Sequence, residues 1–144
     1  MNKIETWRKN AYLSRSQMSS LMKIPVRTIE NWEREVNTPP EYVERLVINE
    51  LKQITEKVIE KKAYGIMERL KSDEDGNRPE GKWAVVTSDG RNEWFYSFKN
   101  MTEAIEEAER MDGQPVYMIC NKGKDNAYED RDGNIVGEEF RLNL

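Results

Sequence analysis

The 144-residue sequence contains no histidine and a single cysteine, Cys120. Without histidine the chain lacks the commonest general base and metal ligand at neutral pH, and one cysteine cannot close an internal disulfide. Most hydrolase and zinc-site chemistries are therefore disfavoured. Cys120 ends an apolar run without any histidine to activate it, so it reads as packing rather than as a nucleophile. No apolar run approaches the ~18–20 residues of a membrane span, and no charged-then-apolar leader opens the chain. The expectation is a soluble cytoplasmic protein that uses no cofactor and is not an enzyme.

Two motif-like stretches fail on inspection. NKGKDN lacks the upstream Gly and the following Ser/Thr of a phosphate loop. Tyr128 to Glu139 carries Asp130, Asp132, Gly133, Ile135 and Glu139 at calcium-loop offsets, but Tyr128 takes the first ligand position and no helical pattern flanks it. A hairpin turn is the expected structure there, with no metal.

What the sequence does contain is charge, unevenly spread. Residues 1–46 hold eight Lys/Arg against six Glu, residues 47–80 seven against eight acids, and residues 81–144 eight against thirteen, for a net charge of -4. The acidity belongs mainly to the C-terminal half, so it does not bar the N-terminal part from meeting phosphate. Hydrophobic residues make up only 37%, so the core of either half is thin.

The stretch SDEDGNRPEG, residues 72–81, holds acids, glycines and a proline and no apolar anchor, and reads as a linker. Before it, apolar residues recur at helical spacings. After it, KWAVVTSDGRNEWFYSF alternates around Ser88-Asp89-Gly90 as a strand pair with a tight turn. The predicted organisation is a helical domain over 1–71, a linker over 72–81 and an acidic α+β domain over 82–144.

In LSRSQMSSLMKIPVRTIENWERE, Ser14 with Gln17 three residues on forms a capping box that starts a helix. Pro25 suits the first turn of a second helix, VRTIENWERE, leaving Lys23-Ile24 as a short turn. On that second helix Ile29 and Trp32 share one face, with Arg27, Thr28, Glu30, Asn31 and Arg34 on the others.

These residues resemble the bacterial and phage helix-turn-helix regulators of the repressor/Cro (xenobiotic-response-element) type. The match runs over Ile4 to Leu51 and rests on Leu13-Ser14, Met18, Met22 with Ile24, and Thr28-Ile29-Glu30-Asn31-Trp32-Glu33. The resemblance implies a sequence-specific DNA-binding regulator acting on promoter or operator double-stranded DNA. By it, Arg8 pairs with Glu33, Arg15 and Gln17 lie near the phosphate backbone, and Val26, Arg27, Glu30 and Asn31 lie near base edges. Thr28 and Arg34 complete the candidate DNA-binding set. Arg27 has the fork for guanine O6/N7 and Asn31 the amide for adenine. The turn position that the family usually fills with Gly is Lys23, which must accept positive φ or tighten the turn otherwise. Acids at 30, 33 and 35 repel phosphate unless they pair with Arg or accept from cytosine. A helical bundle serving only folding or dimerisation stays open as the alternative.

From Glu41 onward a long helix shows an apolar stripe at Val43, Val47, Leu51, Ile54 and Val58. Its beginning, Tyr42 to Val47, is expected to cover the two short helices. Beyond that, Leu51, Ile54, Val58 and Ile59 are the candidate homodimerisation residues, because the helix outruns a small bundle, so that Ile54, Val58 and Ile59 meet either a second chain or the C-terminal domain. In the acidic half, Trp83, Val85, Trp94, Tyr96 and Phe98 should share one sheet face. A helix capped by Asn100 or Thr102, with Ala104, Ile105, Ala108 and Met111 inward and Gly113 as terminator, should cover it. PVYMIC and IVGEEFRLNL supply further strands. Glu103, Glu106, Glu107 and Glu109 form the outer helix face and are the candidate protein-binding residues.

Two functions compete on this reading. One is the DNA-binding regulator, with the C-terminal domain as interaction or effector module. The other, by architecture alone, is an anti-CRISPR type inhibitor from a mobile element, whose acidic domain binds a nuclease effector while the helix-turn-helix autorepresses its operon.

Overall fold

The computed structural model describes residues 2–72, 75–76, 78–120, 127–129, 135–137 and 139–144, without the side chains of 120, 127–129 and 135–137. The architecture is α+β: helices α1 (Lys3–Asn10), α2 (Arg15–Met22), α3 (Val26–Glu33) and α4 (Glu41–Met67), then strands and one more helix. Strands β1 (Glu80–Ser88) and β2 (Glu93–Phe98) precede α5 (Met101–Met111), followed by β3 (Gln114–Cys120), β4 (Ala127–Glu129), β5 (Ile135–Gly137) and β6 (Glu139–Arg141). The chain forms two compact units, Met1–Val58 with Asn143–Leu144, and Ile59–Leu142. The division falls within α4, not in the expected linker.

The helical unit is built on Ile4, Trp7 and Ala11 of α1, Met18 of α2, Ile29 of α3 and Val47, Ile48 and Leu51 of α4, all buried. Asn2 caps α1 by accepting from the Glu5 amide at 2.9 Å and also donates to the Trp32 carbonyl at 2.5 Å, so one side chain starts α1 and holds the end of α3. The buried Asn10 amide exchanges two hydrogen bonds with the Asn143 backbone, at 2.7 and 3.1 Å. The Lys52 ammonium stands 5.2 Å from the Trp7 ring centroid, a cation–π approach.

Helix α4 runs 27 residues, about 40 Å, straight through Gly65. Its buried line is Val47, Ile48, Leu51, Thr55, Ile59 and Ala63, not Val43, Val47, Leu51, Ile54 and Val58. Steps of four residues advance the line about 40° around the helix, and Thr55 tolerates full burial because its hydroxyl donates to the Leu51 carbonyl at 2.7 Å. Two dimerisation candidates are thereby corrected: Leu51 and Ile59 are 0% and 1% exposed, core side chains with no surface to offer a second chain. Ile54 and Val58 are half-buried. Tyr42, expected to cover the short helices, is instead exposed, as is Leu46.

In the second unit four antiparallel strands lie in the order β2-β1-β3-β6, and β4 pairs with β5 separately. The register sets Trp83 opposite Phe98 and Val85 opposite Tyr96, so these share a face as their alternation predicts. The other face is apolar too: Ala84, Val86, Val116 and Met118 form a buried cluster with Phe95 against it. Strands β1 and β3 are interior, which is why Trp83 to Val86 form a continuous buried run. The Trp83 ring meets Tyr117 edge-on at 4.9 Å, and its indole N–H donates to the Glu60 carboxylate at 3.2 Å.

Helix α5 takes Asn100, not Thr102, of its two candidate caps, accepting from the Glu103 amide at 2.8 Å, and buries Met101, Ala104 and Ala108. The small alanines let it approach the sheet closely. Its terminator is Asp112, in the left-handed conformation at φ 53°, rather than Gly113. Gly113 serves a different need: a Cβ there would lie 2.5 Å from Val85 Cγ1 and 2.7 Å from the Val86 carbonyl. Gly81, read as linker, belongs to β1, where a Cβ would enter the Tyr117 ring. The turn is a two-residue loop, Gly90-Arg91, with Gly90 at φ 91° and the Asp89 carboxylate accepting from the Arg91 and Asn92 amides. Those two amides, Asn92 first, hold the Asp89 carboxyl below its ordinary pKa.

Candidate nucleic-acid interface

Helices α2 and α3, eight residues each, are joined by three residues. The capping box that starts α2 is complete: the Gln17 amide donates to Ser14 Oγ at 3.1 Å, and the Ser14 amide donates to Gln17 Oε1 at 2.8 Å. Lys23 ends α2 at φ 60° and ψ 36°, its amide donating to the Ser19 carbonyl. The chain thus accepts positive φ at a lysine, at a cost of about 1 kcal/mol. Pro25 stands one position earlier than predicted, as the N-cap of α3 with extended ψ, and α3 ends at Glu33, two residues before the end of the predicted run, with Arg34 as its C-cap.

The junction of α1, α2 and α3 is an ion triad. Arg8 donates to both oxygens of Glu33, Nε at 2.8 Å and Nη2 at 3.0 Å, and its Nη1 reaches the Leu13 carbonyl at 2.9 Å. The Glu33 side chain is 1% exposed. Such a carboxylate survives burial only with its charge matched and its lone pairs filled. Arg15 supplies the third contact, Nε to Glu33 Oε1 at 3.1 Å. Sequence reasoning paired Glu33 with Arg8 alone; that two cations flank it follows from α2 crossing within reach of α3. Glu33 is therefore not among the acids that would meet phosphate.

With Ile29 and Glu33 turned inward, the opposite side of α3 carries Arg27, Glu30, Asn31 and Arg34 at i, i+3, i+4 and i+7, one stripe. Arg27 and Arg34 are exposed, and Glu30 and Asn31 half-buried. Val26 and Thr28 flank the stripe, also half-buried. Arg15, with 39% of its side chain exposed, keeps its Nη groups beyond the bond to Glu33. Gln17 is exposed, its Oε1 occupied by the capping box and its Nε2 left to donate outward.

No family model, curated protein or solved structure matches the chain.

The acidic candidates of α5 divide in two. Glu106 and Glu109 are exposed. Glu103 and Glu107 are half-buried and already engaged, Glu103 accepting from the Lys99 amide at 3.2 Å and Glu107 from Arg110 Nε at 2.6 Å. Only the first two stand open. The sequence did not single out Arg141, whose guanidinium clamps Glu93 with bonds of 2.9 and 3.1 Å and also binds Glu139 at 2.6 Å. The clamp lowers the Glu93 pKa. Among the described residues no acidic or sulfur cluster could hold a metal ion, and no helix is long and apolar enough to cross a membrane. NKGKDN and residues 130–134 and 138 of the calcium-like stretch, with the Cys120 side chain, lie outside the described residues.

Proposed function

We propose that the protein is a sequence-specific DNA-binding transcriptional regulator of the repressor/Cro type, without enzymatic activity, and that α3 enters the major groove. The observation that carries this reading is the outward stripe of Arg27, Glu30, Asn31 and Arg34 on a short helix anchored behind by Ile29 and the Arg8–Glu33–Arg15 triad. A reading helix must present donors and acceptors from a rigid base, because bidentate contacts tolerate little misplacement. Arg27 forks to guanine, Asn31 pairs with adenine, Glu30 accepts from cytosine, and Arg15, Gln17 and Arg34 meet phosphate. With only eight Lys/Arg against six Glu in residues 1–46, one copy has a modest phosphate footprint, and two copies on paired half-sites answer that need.

Fluorescence anisotropy on the protein's own upstream promoter DNA and on scrambled DNA, at several salt concentrations, tests the proposal. Arg27→Ala and Asn31→Ala should each cost about 1–3 kcal/mol of discrimination, while Arg15→Ala should weaken both DNAs alike and flatten the salt slope by about one. Equal weak binding to both DNAs, unchanged by these substitutions, would sink it.

A second reading gives the main role to the acidic unit, as an inhibitor of a basic nuclease effector. The exposed Glu106 and Glu109 favour it. Its test is capture of such an effector by the full chain and loss of capture in the Glu106→Lys, Glu109→Lys double variant.

A further inference from the structure

The four-stranded sheet has two edges, and they are treated differently. At one, β6 is three residues long, with the charged Glu139 and Arg141 on it. Short strands and charge are the usual guards against pairing with another chain. At the other, β2 runs six residues, EWFYSF, with no Lys, Pro or Gly inside it. Among the described residues no strand pairs with its outer side. Trp94 and Tyr96 are each 45% exposed along it.

The ladder phase states which backbone groups face outward. The Asp89 amide donates to the Asn92 carbonyl at 3.3 Å, making 89 and 92 a hydrogen-bonded pair. Bonded and non-bonded pairs alternate in an antiparallel ladder. Trp94, Tyr96 and Phe98 therefore bond to β1, and Glu93, Phe95 and Ser97 turn their N–H and C=O to the open edge.

We infer that β2 is a homodimer edge, joining antiparallel to β2 of a second copy about a two-fold axis at Tyr96. The strand is complementary to itself in that register. Phe95 stands opposite Ser97 of the second copy and exchanges both backbone bonds with it, and the two-fold repeats this on the far side of the axis. Trp94 meets Phe98 of the second copy and Tyr96 meets its counterpart, an aromatic ladder on one face; such pairs contribute beyond simple burial. At the ends Glu93 faces Lys99 of the second copy, opposite charges in both symmetric places. Arg141 takes two acceptor sites of Glu93 with Nη1 and Nη2, and a carboxylate has about four, so it can also receive Lys99. A register shifted by two residues either way breaks this charge match. The dimer is independent of DNA binding and replaces Leu51 and Ile59 as the self-association surface.

Sedimentation velocity on the full chain without DNA, from low to high micromolar, decides the matter. The wild type should pass from monomer to dimer. Ser97→Pro deletes an outward N–H while sparing the ladder to β1, and Lys99→Glu sets acid against Glu93; each should raise the dissociation constant at least about tenfold. Lys99→Glu and Glu93→Lys chains, monomeric alone, should form a heterodimer when mixed, because the mixed edge restores both charge pairs. Should Ser97→Pro disturb the circular dichroism spectrum, the charge variants carry the test. A wild type that stays monomeric throughout overturns the inference. So does a dimer that persists in Ser97→Pro and Lys99→Glu.

Discussion

The helical unit contains no glycine up to residue 58, whereas all eight glycines of the chain fall between Gly65 and Gly137. Yet the helical unit makes three left-handed turns, as many as the described residues of the sheet unit make at Gly76, Gly90 and Asp112. Tyr12, Lys23 and Glu35 close α1, α2 and α3 at φ 58°, 60° and 59°, each a position where glycine would cost least. In the sheet unit the corresponding place after α5 goes to Asp112, while Gly81 and Gly113 stand where neighbouring side chains and backbone leave no room for a Cβ. The contrast teaches that the sheet unit uses glycine for both needs, turning at Gly76 and Gly90 and close approach at Gly81 and Gly113, while the helical unit turns without any. The helical unit accepts small local strain and is fastened by polar junctions, chiefly Arg8, Arg15 and Glu33; the sheet unit is fastened by close approach.

If that contrast holds, the largest loss should come from the polar junction. Glu33→Ala leaves two arginines without their carboxylate, one of them, Arg8, with a side chain only 10% exposed, and should cost about 3–5 kcal/mol in urea denaturation followed by circular dichroism. A cost under half of that would show that the apolar core, not the triad, holds α3. Next comes the steric rule of the sheet unit. Gly113→Ala should cost about 1–3 kcal/mol by the same measurement, since the Val86 carbonyl it meets is backbone held by the ladder; neutrality would mean that α5 has room to shift. The smallest effect runs in the opposite direction. Lys23→Gly should stabilise by up to about 1 kcal/mol, because it relieves the left-handed turn while touching no core contact, and a destabilised variant would show that the lysine side chain matters more there than its backbone.

What was legible in the sequence follows the same division. Ser14 with Gln17 is a contact within four residues and was readable because a cap needs no distant partner. For α5 the sequence left Asn100 and Thr102 both open, and it placed the turn at Ser88-Asp89-Gly90 where the structure has Gly90-Arg91 between Asp89 and Asn92. The pairing of Arg8 with Glu33 came from the family resemblance, since 25 residues separate them. Arg15 on the same carboxylate was missed. So was the true phase of α4: Ile54 and Val58 look as suitable for burial as Thr55 and Ile59, and only the neighbouring elements choose between adjacent stripes of one helix. Gly81 looked like linker because its neighbours are polar. Its reason for being glycine, the Tyr117 ring, lies 36 residues on.

By itself, then, the sequence determined the α+β class, the start of α2, the presence of a hairpin after residue 82 and the unequal spread of charge, because these depend on propensity and on bonds within a turn or two. Tertiary structure alone decided that Leu51 and Ile59 are core, that Glu33 is neutralised twice, and that one sheet edge is short and charged while the other, among the described residues, has no strand on its outer side. Burial and edge position depend on which remote segments pack alongside, and hydrophobic patterning within one element, being non-directional, does not specify its neighbour.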